Sequence, residues 1–280
     1  MKVVYVTGCL GFIGYHVTKK CLDKGWYVIG VDKETYAANL QFLPELQAYP
    51  KFKYIKQDIR DITYLLDCDY VINTAAESHV DNSIVGSEVF LNSNIYGVHN
   101  LLQNLQKNKF KVPTLLHFST DEVYGDIVEG SHTETDILKP SNPYSATKAA
   151  ADQLILAWAR TYGIPYIIFR PTNNYGIGQY VEKLIPKSCK FLSLGRKIPL
   201  HNNGTPFRNW LHVDDTSRGV ITIIESGIKN EIFNIAGGFE QSNIMTVGKI
   251  IANFIGYLPD NNKEKYLDFS VQRSGQDLRY

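Results

Sequence analysis

Through the first two thirds of the chain, short apolar runs rich in Val, Ile and Tyr alternate with helix-like stretches. The runs at 2–7 (KVVYVT), 27–32 (YVIGVD), 53–57 (KYIKQ), 69–74 (DYVINT), 114–119 (TLLHFS) and 165–170 (PYIIFR) predict strands. Stretches near 12–24, 60–66, 87–107 and 144–162 predict the helices between them. Strands buried on both faces and joined by crossover helices build a parallel sheet of the doubly wound α/β, Rossmann type. The alternation breaks after Arg170, where Pro171, Pro186, Pro199 and Pro206 punctuate the chain around a helix near 181–193. A helix over 213–227, a strand at 231–235 (EIFNI) and a helix over 246–256 follow. The pattern predicts a large domain over 1–170 with return segments near 213–235. A smaller C-terminal lobe, mainly 171–280, is woven into it.

The bulk numbers mostly exclude. The 280 residues are 44% hydrophobic, enough for a sizeable core. A net charge of +1 with dispersed charges gives no field for nucleic acid or a membrane surface. No window approaches the roughly 18 apolar residues of a membrane span, and the N-terminal run reads as a first strand, not a signal peptide. Cys9, Cys21, Cys68 and Cys189 follow no metal-ligand spacing, so no metal is expected. They read as free thiols in a reducing cytoplasm.

Gly8, Gly11 and Gly14 form G-x-x-G-x-x-G between the first strand and the first helix. Glycine there lets a pyrophosphate approach bare N–H groups at a helix N-terminus. Asp32 ends the second strand, where a carboxylate can take both adenosine ribose hydroxyls and repel a 2′-phosphate. The expected cofactor is therefore NAD, with Lys33 softening the preference. Asp58 and Ile59 follow the third strand, in place for an amide contact and an apolar wall around adenine; Asp58 reads equally as a loop cap.

Tyr144 and Lys148, four apart in NPYSATKAAADQL, share one helix face. A free tyrosine has a pKa of about 10, so about one in a thousand is phenolate at pH 7. A cation about 4 Å away lowers that pKa by roughly three units. Lys148 and a nicotinamide charge together would make Tyr144 a working base; a surface Tyr–Lys pair is the bland alternative. The Y-x-x-x-K pattern resembles the short-chain dehydrogenase/reductases, with Thr120, or its neighbour Ser119, at the hydroxyl position.

Thr120-Asp121-Glu122, in HFSTDEVYGD, resembles the catalytic motif of the dTDP-glucose 4,6-dehydratases. VDKETYAANL, AAESHVD, NNYG, EKLIP, RNWLHVDD and RSGQDLRY extend that resemblance over nearly the whole chain. From the residues alone, Ser119 with Glu122 also fits a helix capping box. The resemblance implies conversion of dTDP- or UDP-glucose to a 4-keto-6-deoxy product with NAD regenerated in each turnover. It implies Tyr144 as the oxidising base with Lys148 beside it, and Thr120 on the 4-hydroxyl. It gives Glu122 the C5 proton and Asp121 the departing C6 hydroxyl. Phe12, Ile13, Ala75 and Ala76 join the glycines, Asp32, Lys33, Asp58, Ile59, Tyr144 and Lys148 around the cofactor. Ser78, His79, Asn94, Asn173, Asn174, Lys183, Arg208, Asn243, Arg273 and Gln276 are the implied substrate contacts.

For the arginines a surface ion pair is the alternative, and for His79 a structural role. Cys9-Leu10 replaces smaller family residues and is expected to enlarge the loop beside the diphosphate. Asn82, Gln276 and Asn209 replace a usual Arg, His and Asp. The resemblance also implies a homodimer through helices near 87–107 and 144–162. A nucleotide-sugar 4-epimerase or reductase of the same fold and a catalytically silent NAD-binding protein are the alternative functions; the adjacent acids distinguish the leading one.

Overall fold

The structure is a computed structural model that describes residues 1–108, 111–256, 263–273 and 275–280. Its larger part begins β1 (Val3–Thr7), α1 (Phe12–Asp23), β2 (Tyr27–Asp32), α2 (Phe42–Gln47), β3 (Phe52–Lys56) and β4 (Tyr70–Asn73). It continues α3 (Val80–Val85), α4 (Glu88–Phe90), a π-helical stretch at Leu91–Tyr96, α5 (Gly97–Lys107), β5 (Thr114–Phe118), α6 (Pro143–Tyr162) and β6 (Tyr166–Pro171). The C-terminal part holds β7 (Asn173–Tyr175), α7 (Leu184–Ser193), β8 (Ile198–Pro199), β9 (Phe207–His212), α8 (Val213–Ser226) and β10 (Glu231–Ile235). It ends with β11 (Glu240–Ser242), α9 (Asn243–Ile255), α10 (Lys263–Tyr266) and β12 (Leu267–Asp268).

The main sheet has the order β10-β6-β5-β4-β1-β2-β3, and every pairing in it is parallel. The order reverses between β1 and β4, the point where such sheets open a ligand crevice at their carboxyl ends. Alternate residues of each strand feed opposite faces. Val4, Val6, Leu116 and Phe169 pack with Val17 and Cys21 of α1 and Val220 and Ile224 of α8. Tyr5, Val71, Leu115 and Ile168 pack with Leu101 and Leu105 of α5 and Ala151 and Ile155 of α6. This double burial is why the strands read as unbroken apolar runs.

The segment 172–212 leaves this sheet, and α8 and β10 return to it. The smaller lobe has a three-stranded sheet (β11-β9-β7), a two-stranded one (β12-β8) and its own core of Leu192, Ile198, Leu200, Val247, Ile251 and Leu267. Its strands were not visible in the sequence, because short polar runs such as Glu240–Ser242 pair only through distant partners. Among the described residues, no helix is long and apolar enough to cross a membrane.

The expected helix over 60–66 does not form. A 3-10 turn at Ile59–Asp61 is followed by irregular chain. Asn100 Nδ2 donates to the Ile59 and Ile62 carbonyls (2.8 and 2.9 Å), and Asn104 Nδ2 also donates to Ile62. Side chains of α5 thus take the carbonyls that a helix would have bonded internally.

Candidate active site

The crevice at the carboxyl ends of β1, β4, β5 and β6 is lined by Gly8, Gly11, Phe12, Ile13, Gly14, Asp32, Lys33, Asp58, Ile59, Ala75 and Ala76 on one side. Thr120, Asp121, Glu122, Tyr144 and Lys148 reach it from the centre, and Ser78, Asn173, Asn174 and Lys183 from the far side.

The glycines do two jobs. A Cβ on Gly14 would sit 1.9 Å from the Gly8 carbonyl oxygen, and one on Gly8 (φ +72°) would sit 2.8 Å from Ala75 N. Those two allow the loop to close on β4. Gly11 is the N-cap of α1, which has no side-chain cap and no acid in its first turn. Its leading N–H groups and the positive end of the helix dipole are left for an anion, which suits a dinucleotide diphosphate.

Cys9 and Leu10 are fully buried in the core under the loop. They do not enlarge it on the crevice side, contrary to the expectation from sequence. Leu10 N donates to Asp32 Oδ2 (3.0 Å) and Glu34 N donates to Oδ1 (2.7 Å), fixing the carboxylate at the crevice edge. Burial pushes the Asp32 pKa above the usual carboxylate range against the pull of those two donors. Lys33 Nζ lies 3.7 Å from Asp58 and 3.8 Å from Glu77, which spreads its charge over two carboxylates. Asp58 lines the crevice and also caps the 3-10 turn, accepting from Arg60 N at 2.9 Å.

Thr120 is the extended N-cap of a short 3-10 turn, Asp121–Val123, just past β5. Its hydroxyl donates to Asp121 Oδ1 (3.1 Å) and accepts from Glu122 N (3.4 Å). The alternative Ser119–Glu122 capping box is not made, since Ser119 Oγ donates to Asp152 Oδ2 (2.9 Å). Asp121 is buried, and its Oδ2 has no hydrogen-bond partner. Burial, then the Glu122 charge, pushes the Asp121 pKa up to about 8.

α6 begins with a capping box between Asn142 and Ser145 and with Pro143 in its first turn. That start fixes Tyr144 and Lys148 at the crevice floor. Burial, then the Glu122 charge, raises the Tyr144 pKa above its ordinary value; the Thr120 hydroxyl opposes the rise. Lys148 is not among the groups that act on Tyr144 in this structure; the expected lowering also draws on a nicotinamide charge. Lys148 Nζ turns to the Phe118 carbonyl and to His117 Nε2 (3.3 Å). Burial lowers the pKa of Lys148 itself to about 8.

The structure does not bring all implied substrate contacts to the crevice wall. Asn94, on the π-helical stretch, is a buried strut: its Oδ1 accepts from Glu77 N, and its Nδ2 donates to Glu77 O and Thr147 Oγ1. His79 caps α3, accepting from Asn82 N (3.4 Å). Arg273 Nε lies 2.6 Å from Asp81 Oδ1, and its Nη1 donates to Gln276 Oε1 (3.1 Å). Arg208 donates to the Asp277 (2.9 Å) and Phe207 carbonyls and stacks 4.3 Å over the Tyr280 ring, close enough to pull on Asp121. Asn243 opens α9 with a buried, unpartnered Oδ1.

On the crevice wall itself, Asn173 Oδ1 is likewise buried and unpartnered, while Asn174 is tied to Thr172 and Thr216. Lys183 donates to Ser78 O (2.7 Å). Gln179, Tyr180 and Glu182 also line the wall and were missed from sequence. Their place just after the last central strand, with Glu182 beside Lys183 in EKLIP, was the available signal.

A model of the NAD dependent epimerase/dehydratase family matches residues 4–236. The low-salt glycan biosynthesis protein Agl12 of Haloferax volcanii is 38% identical over 99% of this chain and 88% of its own length. A dTDP-glucose 4,6-dehydratase of Escherichia coli is 36% identical over 100% of this chain and 85% of its own length. The crystal structure of the dTDP-glucose 4,6-dehydratase DesIV from Streptomyces venezuelae, solved with NAD and dTDP, superposes with a TM-score of 0.92. It is 39% identical, covering 99% of this chain and 87% of that one. With fold, crevice and full-length likeness in agreement, the chain belongs to the NAD dependent epimerase/dehydratase family.

Proposed function

We propose that the protein is an NAD-dependent nucleotide-sugar 4,6-dehydratase that converts dTDP- or UDP-glucose to the 4-keto-6-deoxyglucose nucleotide. The observation that carries this reading is the pair Asp121–Glu122 on the crevice wall beside Tyr144. Asp121 is held protonated near neutral pH, and its second oxygen has no protein partner. An epimerase or reductase needs the tyrosine but has no work for a neutral acid next to a carboxylate.

The glycine loop, the uncapped α1 terminus and Asp32 hold NAD, which supplies reversible hydride acceptance between C4 and C6. Thr120 orients the 4-hydroxyl and Tyr144 takes its proton. The resulting C4 ketone acidifies the C5 proton, which Glu122 removes. Asp121 delivers its proton to the departing C6 oxygen as water, and a proton returns to C5 at the end. The neighbouring carboxyls divide into an acid and a base because burial, and then the Glu122 charge, favour the protonated form of Asp121. Lys183 and the Asn173 Oδ1 face the sugar-nucleotide side, whereas Arg208 and Arg273 must exchange the Phe207, Asp277 and Asp81 oxygens they now hold to reach phosphate oxygens.

The enzyme acts in the reducing cytoplasm, as suits four free cysteines, three of them buried. It acts as a homodimer through the faces near 87–107 and 144–162, which present Val89, Leu91, Tyr96 and Tyr162 to solvent. Incubation with dTDP-glucose and with UDP-glucose tests the reading. A 4-keto-6-deoxy product supports it; a galactose product, or no turnover with either, overturns it. Sedimentation showing only monomer at micromolar concentration would remove the dimer.

A further inference from the structure

Beneath Lys148 lies a buried polar chain that the reaction as described does not use. His117, on β5, is fully buried in the sheet. Its Nδ1 lies 3.0 Å from the Asn73 side-chain amide, and its Nε2 lies 3.3 Å from Lys148 Nζ. Asn73 in turn bonds the Thr7 hydroxyl (2.6 Å). Among the described residues Lys148 forms no salt bridge, and its hydrogen bonds go to the Phe118 carbonyl and to His117. The charged groups facing this spot from neighbouring elements are Asp152 on α6 and Arg170 on β6, which are bonded to each other at 3.0 Å. Tyr5 on β1 shares the face, and burial keeps it neutral with a pKa pushed up to about 12.

The donor count selects a tautomer. An imidazolium is excluded, because burial and the neighbouring ammonium both drive the His117 pKa well below its ordinary value. A neutral ring has one N–H. If that proton sits on Nε2, it opposes the N–H groups of a charged Lys148, donor against donor. If it sits on Nδ1, Asn73 accepts it through its amide oxygen, and the Nε2 lone pair faces the ammonium. The amide oxygen and nitrogen of Asn73 are interchangeable by a flip, so the second arrangement is open to the chain.

We propose that His117 is a positioning residue for Lys148: held as the Nδ1–H tautomer by Asn73, it accepts a hydrogen bond from the lysine ammonium and keeps that cation charged beneath the cofactor crevice. A hydrogen bond to a buried charge favours the charged form. The role of Lys148 follows the dehydratase reading above, whereas the His117–Lys148 contact is testable in the protein without any reaction.

The first experiment is nitrogen-15 NMR of the His117 ring in unliganded wild-type protein below pH 7. The expected spectrum is a neutral Nδ1–H ring; an Nε2–H ring or an imidazolium overturns the proposal. The second compares the alkaline limb of the kcat/KM profile in wild type, His117→Leu and His117→Gln. Losing one acceptor moves the Lys148 titration, and with it the alkaline limb, about one to two pH units toward acid in the leucine variant. kcat falls while KM is nearly unchanged. The glutamine variant, whose amide oxygen can stand where Nε2 stood, moves the limb back toward wild type. A leucine variant that folds and keeps the wild-type limb refutes the role, since a packing defect alone lowers activity without moving the limb. If the leucine variant does not fold, the ring spectrum still decides. A correct spectrum in a protein that does not dehydrate sugars would fault the function and leave the contact standing.

Discussion

The departing C6 hydroxyl needs a proton donor, and Asp121 fits only while it carries its proton. With its pKa near 8, about nine-tenths of the enzyme holds that proton at pH 7 and about one-tenth at pH 9. The elimination step should therefore lose about tenfold per pH unit above pH 8. Asp121→Asn keeps shape and N–H donors but cannot give up a proton. It should slow elimination about 100- to 10,000-fold while leaving C4 oxidation nearly intact. Single-turnover absorbance separates the two, because reduced cofactor appears in the oxidation and disappears only after elimination. In Asp121→Asn reduced cofactor should appear at a near-normal rate and then persist.

The same shift has a stability consequence. The folded-state pKa lies above the unfolded value, so the folded protein binds more protons between about pH 4 and pH 8 and loses stability as pH rises through that window. Asp121→Asn escapes this loss and should melt higher than wild type at pH 8, with no advantage at pH 4. An elimination rate flat from pH 6 to pH 10, or normal turnover by the asparagine variant, would remove Asp121 as the proton donor.

Two further outcomes follow from the site. Glu122→Gln should bind NAD as wild type does, by fluorescence titration, yet form no 4-keto-6-deoxy product; normal product would remove Glu122 from its role. Asp152→Ala should cost about 3–5 kcal/mol of stability by urea denaturation, because it strands the buried Arg170 guanidinium 3.0 Å away; a loss under about 1 kcal/mol would mean that water or a neighbour already compensates it.

The parts legible in the sequence are those with a local or periodic cause. The central strands are apolar on both faces, so Val3–Thr7 or Thr114–Phe118 stand out without any partner in view. Gly8, Gly11, Gly14, Asp32, Tyr144 and Lys148 sit at fixed distances from those strands, and the crevice collects them all. Less visible were features decided by distant side chains. Asn100 and Asn104 suppress a helix after Ile59 from some forty residues away. The core takes Cys9 and Leu10, which leaves the loop unchanged on its ligand side. Arg273 is spoken for by Asp81, and Lys148 by His117, because burial forces each cation to find partners that spacing alone does not reveal.

In this mechanism a hydride leaves C4 and returns to C6 of the same sugar. Turnover of nucleotide-glucose deuterated at C4, in ordinary water, tests it by mass spectrometry and NMR of the product. One deuterium should be retained in the new C6 methyl group, with a solvent-derived proton at C5. Deuterium released to water, or a product that keeps it at C4, would rule out an internal hydride return.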